Sequence, residues 1–113
     1  MLIRKLPKRP KRTERFRSPR HRAFVRGHAC VICDAEAPIE CAHYSLGSNS
    51  GMAQKADDWR CIPLCKDCHQ RQHTQGERTF WQGKDPLAII EALIRTSPVR
   101  REIEAHRDIK DGI

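Results

Sequence analysis

The chain has 113 residues, of which 38% are apolar and 5% aromatic, and it carries a formal net charge of +8 at pH 7. This length suits one small domain with a thin core, which a structural metal ion would help to stabilise. No apolar run reaches membrane-spanning length and no secretory signal is recognisable, so we expect a cytoplasmic protein and exclude an integral membrane protein. Thiols stay reduced there, so the six cysteines indicate zinc binding or catalysis rather than disulfides.

The positive charge is concentrated at the start of the chain. Residues 1–26 hold 11 Lys or Arg residues and the single acid Glu14, whereas the remainder holds 11 basic and 13 acidic residues. Residues 1–17 contain Pro7 and Pro10 and lack apolar periodicity, so we expect a disordered basic arm. Such an arm is typical of a segment that binds the phosphate backbone, or of a solvated tail. Its candidate DNA-binding residues are Lys8, Arg9, Lys11, Arg12 and Arg15.

A short helix is predicted next, leading into a turn with two cysteines. Ser18 suits the N-cap, Pro19 suits the first helical position, and Gly27 ends the helix. Cys30 and Cys33 then form a C-x2-C pair, which is typical of a metal knuckle, a turn that brings two thiolates to one ion.

A second C-x2-C pair follows after 31 intervening residues. Two such pairs together supply the four ligands of a tetrahedral structural zinc site, which we predict for this chain. A redox pair is disfavoured because no βαβ pattern surrounds it, and an iron–sulfur site is the other alternative. The predicted ligands of the structural Zn²⁺ are Cys30, Cys33, Cys65 and Cys68.

Between the two pairs, the sequence predicts a β-hairpin with a long loop. Residues 39–44 alternate as a short strand that has Cys41 and His43 on one face. Residues 45–56 are rich in Ser, Gly and Asn, and residues 57–64 are expected to form the returning strand. A hairpin of this size needs a metal ion or a helix behind it to be stable.

The segment after the hairpin predicts a short helix over residues 66–74, ended by Gly76. His69 and His73 are four residues apart and therefore share a helix face. Cys68 precedes His69 by one residue and points roughly 100° away. We therefore predict two separate metal sites, one made by cysteines and one made by histidines.

The C-terminal part, residues 85–113, is predicted as a helical extension of a domain that spans residues 18–84. An Asp-Pro pair at residues 85–86 starts a helix whose apolar residues, Leu87 to Ile94, recur at helical spacing. This stripe is expected either to join the core or to contact a protein partner. A final polar helix is predicted around residues 99–108.

Residues 30–73 resemble the HNH endonuclease superfamily, in particular its four-cysteine zinc subgroup. The segment GMAQKADDWRCIPLCKDCHQRQHTQGE is similar to phage and prophage HNH proteins, which implies a bacterial or phage-encoded protein. The implied fold is small α+β: a ββα-metal unit, treble-clef-like and stabilised by structural zinc, with flanking helices. The features that carry the resemblance are the two C-x2-C pairs, Ala42-His43-Tyr44, Asp57-Asp58, His69 and His73.

The resemblance implies a metal-dependent endonuclease that hydrolyses DNA phosphodiester bonds, in single-stranded or branched DNA among other forms. His43 matches the general base that activates water, a role that suits an imidazole with an unperturbed pKa of about 6.5. His69 and His73 match ligands of a divalent catalytic ion, Mg²⁺, Mn²⁺ or Zn²⁺. Such an ion would stabilise the phosphate and the leaving oxygen.

Two positions depart from the family pattern. Many members have Asp or His immediately before the base, whereas this chain has Ala42, and no Asn occurs where the family has its middle Asn. Asp58 is therefore the leading candidate for the remaining site residue and metal ligand, followed by Asp57. The plainer alternatives are that Asp58 starts a strand or caps a turn, and that His43 is structural or shares an ion with Cys41.

Two other functions compete with a nuclease. A non-catalytic zinc module that binds DNA or RNA is favoured by the alanine that precedes His43. An accessory recombination or packaging factor of a phage would cleave only with a partner protein, which the stripe from Leu87 to Ile94 would bind.

Overall fold

The computed structural model describes residues 15–47 and 56–111, with side chains described through residue 108. Most of the predicted basic arm lies outside the described residues, including Lys8, Arg9, Lys11 and Arg12, as does most of the predicted long loop. Among the described residues, no helix is long and apolar enough to cross a membrane. In chain order the elements are α1 (Pro19–Arg26), β1 (Ile39–His43), a 3-10 turn (Asp58–Arg60), β2 (Cys61–Cys65), α2 (Lys66–Gln75), α3 (Glu77–Phe80), α4 (Pro86–Thr96) and α5 (Arg100–Asp111).

Helix α1 begins and ends where the sequence predicts. The Ser18 hydroxyl accepts a hydrogen bond from the N–H of His21 at 3.1 Å, and Pro19 occupies the first turn, where a missing N–H costs nothing. The N–H of Gly27 closes the last turn on the Ala23 carbonyl. The helix packs against the hairpin through the fully buried Val25.

The folded domain begins inside the predicted basic arm. The N–H of Phe16 donates to Asp57 Oδ1 at 2.7 Å, and the Phe16 carbonyl accepts from the N–H of Asp58 at 2.8 Å. Arg17 donates to the Ala56 carbonyl at 2.6 Å. The last two residues of the predicted arm therefore pair with the segment before β2.

Strands β1 and β2 form the predicted hairpin, antiparallel, with Ile39 opposite Cys65 and His43 opposite Cys61. The returning strand is shorter than predicted, because residues 58–60 form a 3-10 turn instead. This turn buries the Asp58 side chain, whose carboxylate accepts hydrogen bonds from the start of α1. Tertiary contacts therefore override the extended pattern of that segment.

The helices after the hairpin complete one core. Gly76 ends α2 at a backbone φ of +85°, a left-handed conformation that favours glycine. In α4, Ile90 and Ile94 pack into the same cluster as Leu64 of β2 and Ile103 of α5. Residues 85–108 thus share the core of the preceding domain.

The apolar stripe of α4 serves this core. Ile90, Leu93 and Ile94 are at most 7% exposed, whereas Leu87 is 51% exposed. The larger part of the stripe therefore joins the core, as one of the two expectations had it, and Leu87 is its exposed end.

Candidate functional site

The four cysteines predicted as zinc ligands come together at the start of α2. Their sulfur atoms all lie within 4.8 Å of one another, and those of Cys33 and Cys65 are 3.6 Å apart. Sulfur ligands about 2.3 Å from a tetrahedral zinc ion are separated by about 3.8 Å. The donor atoms and their spacing therefore fit a metal ion such as zinc.

Local backbone geometry sets up this cluster. In the first pair the N–H of Cys30 donates to the Ala35 carbonyl and the N–H of Asp34 donates to the Cys30 carbonyl, both at 2.9 Å. Asp34 has a φ of +63°, which reverses the chain just after the pair. In the second pair Cys65 is the N-cap of α2, and its sulfur accepts from the N–H of Cys68 at 3.5 Å.

The thiols of the cluster differ in acidity. Burial opposes ionisation of Cys30, but backbone N–H groups, that of Cys33 foremost, outweigh it and lower the pKa of the Cys30 thiol to about 6. Burial, followed by the neighbouring Cys65 thiol, raises the pKa of Cys68 to about 12. The protein alone thus favours a thiolate at one position and a thiol at the other. A bound divalent ion would displace the remaining protons.

A buried carboxylate holds His43 at the end of β1. His43 Nε2 lies 2.9 Å from Asp58 Oδ1 and 3.4 Å from the sulfur of Cys61. Asp58 is 1% exposed, and its Oδ2 accepts the N–H of Ser18 at 2.7 Å and lies 3.3 Å from Arg22 Nε. Because an ionised carboxylate only accepts, Nε2 carries the proton and the lone pair of a neutral ring lies on Nδ1.

His43, Asp58 and Cys61 also form a group whose potential ligand atoms lie within 4.8 Å of one another. The 2.9 Å separation between His43 and Asp58 is that of a direct hydrogen bond. The Cys41 thiol and burial raise the pKa of Cys61, which keeps it a neutral thiol. Cys41 itself donates to the Arg22 carbonyl at 3.2 Å. We therefore interpret the group as a hydrogen-bonded histidine rather than a metal site.

The other two predicted histidines lie one helical turn apart on α2. The Nε2 atoms of His69 and His73 are 3.2 Å apart. Glu40 Oε1 lies 2.8 Å from His69 Nδ1, so the carboxylate accepts that N–H and directs the lone pair to Nε2. Two imidazole nitrogens that bind one tetrahedral ion at about 2.0–2.1 Å are about 3.3 Å apart. The observed separation therefore suits a shared divalent ion.

One cleft of about 670 Å³ connects these groups. His43, His69 and His73 all line it, so the structure brings the three predicted histidines together. Asp58 approaches His43 from the buried side, and the lining of the cleft does not include it. The carboxylate of Asp58 therefore bonds His43 and the start of α1, and its role as a ligand of an ion at the α2 histidines stays a prediction.

The other candidate ligands of the hairpin are also turned away from the cleft. Asp57 is fully buried and accepts the N–H of Phe16. Ala42 is fully buried in the core cluster, so the position before His43 offers no metal ligand.

Sequence reasoning missed two acids of the cleft, Glu40 and Glu77. Glu77 accepts from the N–H and hydroxyl of Ser45 and from the N–H of Leu46, so it fixes the backbone just after His43. Glu40 faces Leu64 across the sheet, next to the cap of α2. The contact of Glu40 with His69 follows from this pairing of the two strands, which the sequence pattern alone does not show.

Two arginines of the cleft were also missed. Arg22 and Arg26 of α1 line it beside the histidines. Their spacing of four residues on a predicted helix was the available signal. Of the predicted DNA-binding residues, Arg15 alone lies within the described part of the chain, and it is half-buried.

Comparison with known proteins places the chain in a family. No curated protein and no solved structure matches the chain. Residues 4–87 match the family described as "Protein of unknown function (DUF968)", and this span contains the cysteine cluster, the hairpin and all three histidines of the cleft. Since the match covers well over half of the sequence, the chain belongs to the DUF968 family.

Proposed function

We propose that this protein is a metal-dependent endonuclease of the HNH type, which hydrolyses phosphodiester bonds in DNA. The observation that carries the proposal is the cleft that His43 shares with the pair His69 and His73. A buried carboxylate orients the first histidine, and an exposed carboxylate orients the pair. A purely structural zinc knuckle does not require three histidines along one cleft.

His43 acts as the general base. With Asp58 accepting the proton of Nε2, Nδ1 is the atom that removes a proton from the attacking water. The same carboxylate stabilises the imidazolium that forms, as in other carboxylate–histidine pairs. Burial of Asp58 strengthens this effect because the surrounding dielectric is low.

His69 and His73 would hold the catalytic divalent ion. Their nitrogen separation of 3.2 Å fits this role, and Glu40 keeps His69 in the tautomer that binds metal. When bound, the ion supplies positive charge that offsets the charge growing on the phosphate and on the leaving oxygen. Ala42 contributes nothing to binding, so the two histidines carry most of it.

The cysteine cluster supports the cleft indirectly. Cys65 is the N-cap of α2, the helix that carries the histidine pair, and Cys68 lies in its first turn. An ion held by the four cysteines would fix the start of this helix against the hairpin. A structural Zn²⁺ would therefore maintain the position of His69 relative to β1.

A cleavage assay tests the proposal. Purified protein is incubated with supercoiled plasmid and with single-stranded DNA, with Mg²⁺, with Mn²⁺ or without added metal. We expect metal-dependent cleavage that His43→Ala reduces by about 100-fold or more, as for loss of a general base. His28→Ala is the matched control, since His28 is exposed on the loop after α1 and does not line the cleft.

The leading alternative is a non-catalytic zinc module that binds nucleic acid, and the buried Ala42 is the observation that favours it. Binding without cleavage under all metal conditions would support this alternative and contradict the nuclease. Cleavage that survives His43→Ala would contradict the role of His43 as the general base.

A further inference from the structure

The wall of the cleft formed by α1 carries two arginines. Arg22 and Arg26 both line the cleft, and they are separated by about 6 Å of helix rise on one face. The Arg22 side chain is 38% exposed, and Arg26 is exposed. Helix α1 lies before the cysteine cluster and the hairpin in the chain. Its two arginines therefore belong to neither of these parts.

Arg22 is held in place by the same carboxylate that orients His43. Its Nε lies 3.3 Å from Asp58 Oδ2, while Asp58 Oδ1 contacts His43. Asp58 also accepts the N–H of Ser18, the residue that caps α1. The position of the arginine wall and the orientation of the base therefore depend on one buried group.

Arg22 and Arg26 make the α1 side of the cleft its positively charged side. The two acids that line the cleft, Glu40 and Glu77, already accept hydrogen bonds from His69 and from the 45–46 backbone. Guanidinium groups match phosphate oxygens in geometry as well as in charge. A phosphodiester backbone is thus the ligand that this wall suits best.

We propose that Arg22 and Arg26 form a phosphate-binding site, which binds the nucleic-acid strand next to the bond that is cut. The site rests on the proposed function for the identity of that bond, whereas binding itself does not require cleavage. It makes the cleft a source of salt-dependent affinity that is separate from the basic arm.

The test measures binding of a fluorescein-labelled oligothymidylate of about 20 nucleotides by fluorescence anisotropy. The dissociation constant is followed from about 50 to about 200 mM salt, without added catalytic metal and with the zinc content checked. Each phosphate contact in a single strand contributes about 0.7 to the slope of log K against log salt. We expect Arg26→Gln to reduce the slope by about 0.7, and Arg22→Gln with Arg26→Gln to reduce it by about 1.4.

Two further variants separate a specific site from general charge. Arg20→Gln removes an exposed arginine of α1 that does not line the cleft, so its slope should equal that of the wild type. Arg22→Lys keeps the charge and should restore the slope that Arg22→Gln loses. An equal effect of Arg20→Gln and Arg26→Gln, or no effect of Arg26→Gln, overturns the proposal.

The same variants distinguish this inference from the nuclease. If the wild type cleaves DNA, Arg26→Gln should raise KM more than it lowers kcat. If the wild type never cleaves but Arg26→Gln still reduces the salt slope of binding, the nuclease is contradicted and the phosphate site is supported. If the wild type cleaves and Arg26→Gln changes neither the salt slope of binding nor KM, the phosphate site alone is overturned.

Discussion

The two ligand sets carried by α2 differ in how closed they are. At the start of the helix, four thiols lie within 4.8 Å of one another and supply all the ligands of a tetrahedral ion, with Cys30 and Cys68 buried and Cys33 exposed. Along the next turn His69 and His73 line an open cleft, and the His69 side chain is 21% exposed. Closed tetrahedral sets are typical of structural ions, while open sets leave room for a substrate. One short helix can therefore serve stability at one end and chemistry along its side.

The largest expected effect tests the closed set. Cys68→Ala should abolish zinc binding and cooperative thermal unfolding, because apparent zinc binding of about 10–16 kcal/mol can account for the folding energy of a small domain. Metal analysis and circular dichroism measure both. Cys41→Ala, which alters a thiol outside the cluster, is the control and should retain zinc. A folded, cooperative Cys68→Ala without metal would contradict the structural role of the cluster.

The next effect tests the carboxylate behind the base. Asp58→Asn should lower the free energy of unfolding by about 1–3 kcal/mol, since the buried N–H of Ser18 and the ring of His43 lose a charged acceptor. It should also reduce cleavage by the folded protein, because an amide does not stabilise the imidazolium. Asp57→Asn is the matched control, for Asp57 is equally buried but bonds Phe16 instead of His43. Equal loss of cleavage per folded molecule in both variants would contradict the role of Asp58.

A smaller effect tests the open set. Glu40→Gln should weaken the apparent affinity for Mn²⁺ by about 10–100-fold, because the carboxylate no longer orients His69. The zinc content of the cysteine cluster should not change. Mn²⁺ titration of DNA cleavage measures the effect, and Glu36→Gln, at an exposed acid outside the cleft, is the control. An unchanged Mn²⁺ requirement would contradict the proposed orientation.

The smallest effect is the pH dependence of stability that a fully buried histidine causes. Burial lowers the pKa of His21, against the opposing charge of Asp58, and its Nδ1 lies 2.8 Å from the Ser97 hydroxyl. The unfolded state therefore binds a proton that the folded state resists. The contribution of neutral His21 to stability is complete above the pKa of the unfolded state, about 6.5, and is lost as the pH falls below that value.

Urea unfolding between about pH 7 and pH 5 measures this contribution. His21→Gln keeps a group that can bond Ser97 but cannot gain a charge in this range, so part of the pH dependence should disappear. An identical pH dependence in the variant and the wild type would contradict the assignment.

Local signals explain what the sequence could predict. The cap at Ser18, the stop at Gly76 and the two C-x2-C pairs depend on residues close together in the chain, so spacing reveals them. The shared helix face of His69 and His73 follows from helical geometry in the same way. These features correctly predicted a small α+β fold with a cysteine cluster.

The hydrogen-bond partners of the site residues could not be predicted, because they depend on contacts between distant segments of the chain. Asp58 bonds groups on α1 and β1, which are 40 and 15 residues away in the chain. Glu40 reaches His69 only through the register of the hairpin. The burial of Phe16 against the core likewise moved the start of the domain into a segment whose composition predicts disorder.

The docking of Phe16 also fixes where the basic arm is tethered. The neighbouring Arg17 donates to the carbonyl of Ala56, a residue that lines the cleft, so the root of the arm lies at the rim of the cleft. Under the proposed function, a nucleic-acid strand that contacts Arg17 is held at the rim of the cleft and reaches the histidines at high effective concentration, as an intramolecular ligand would.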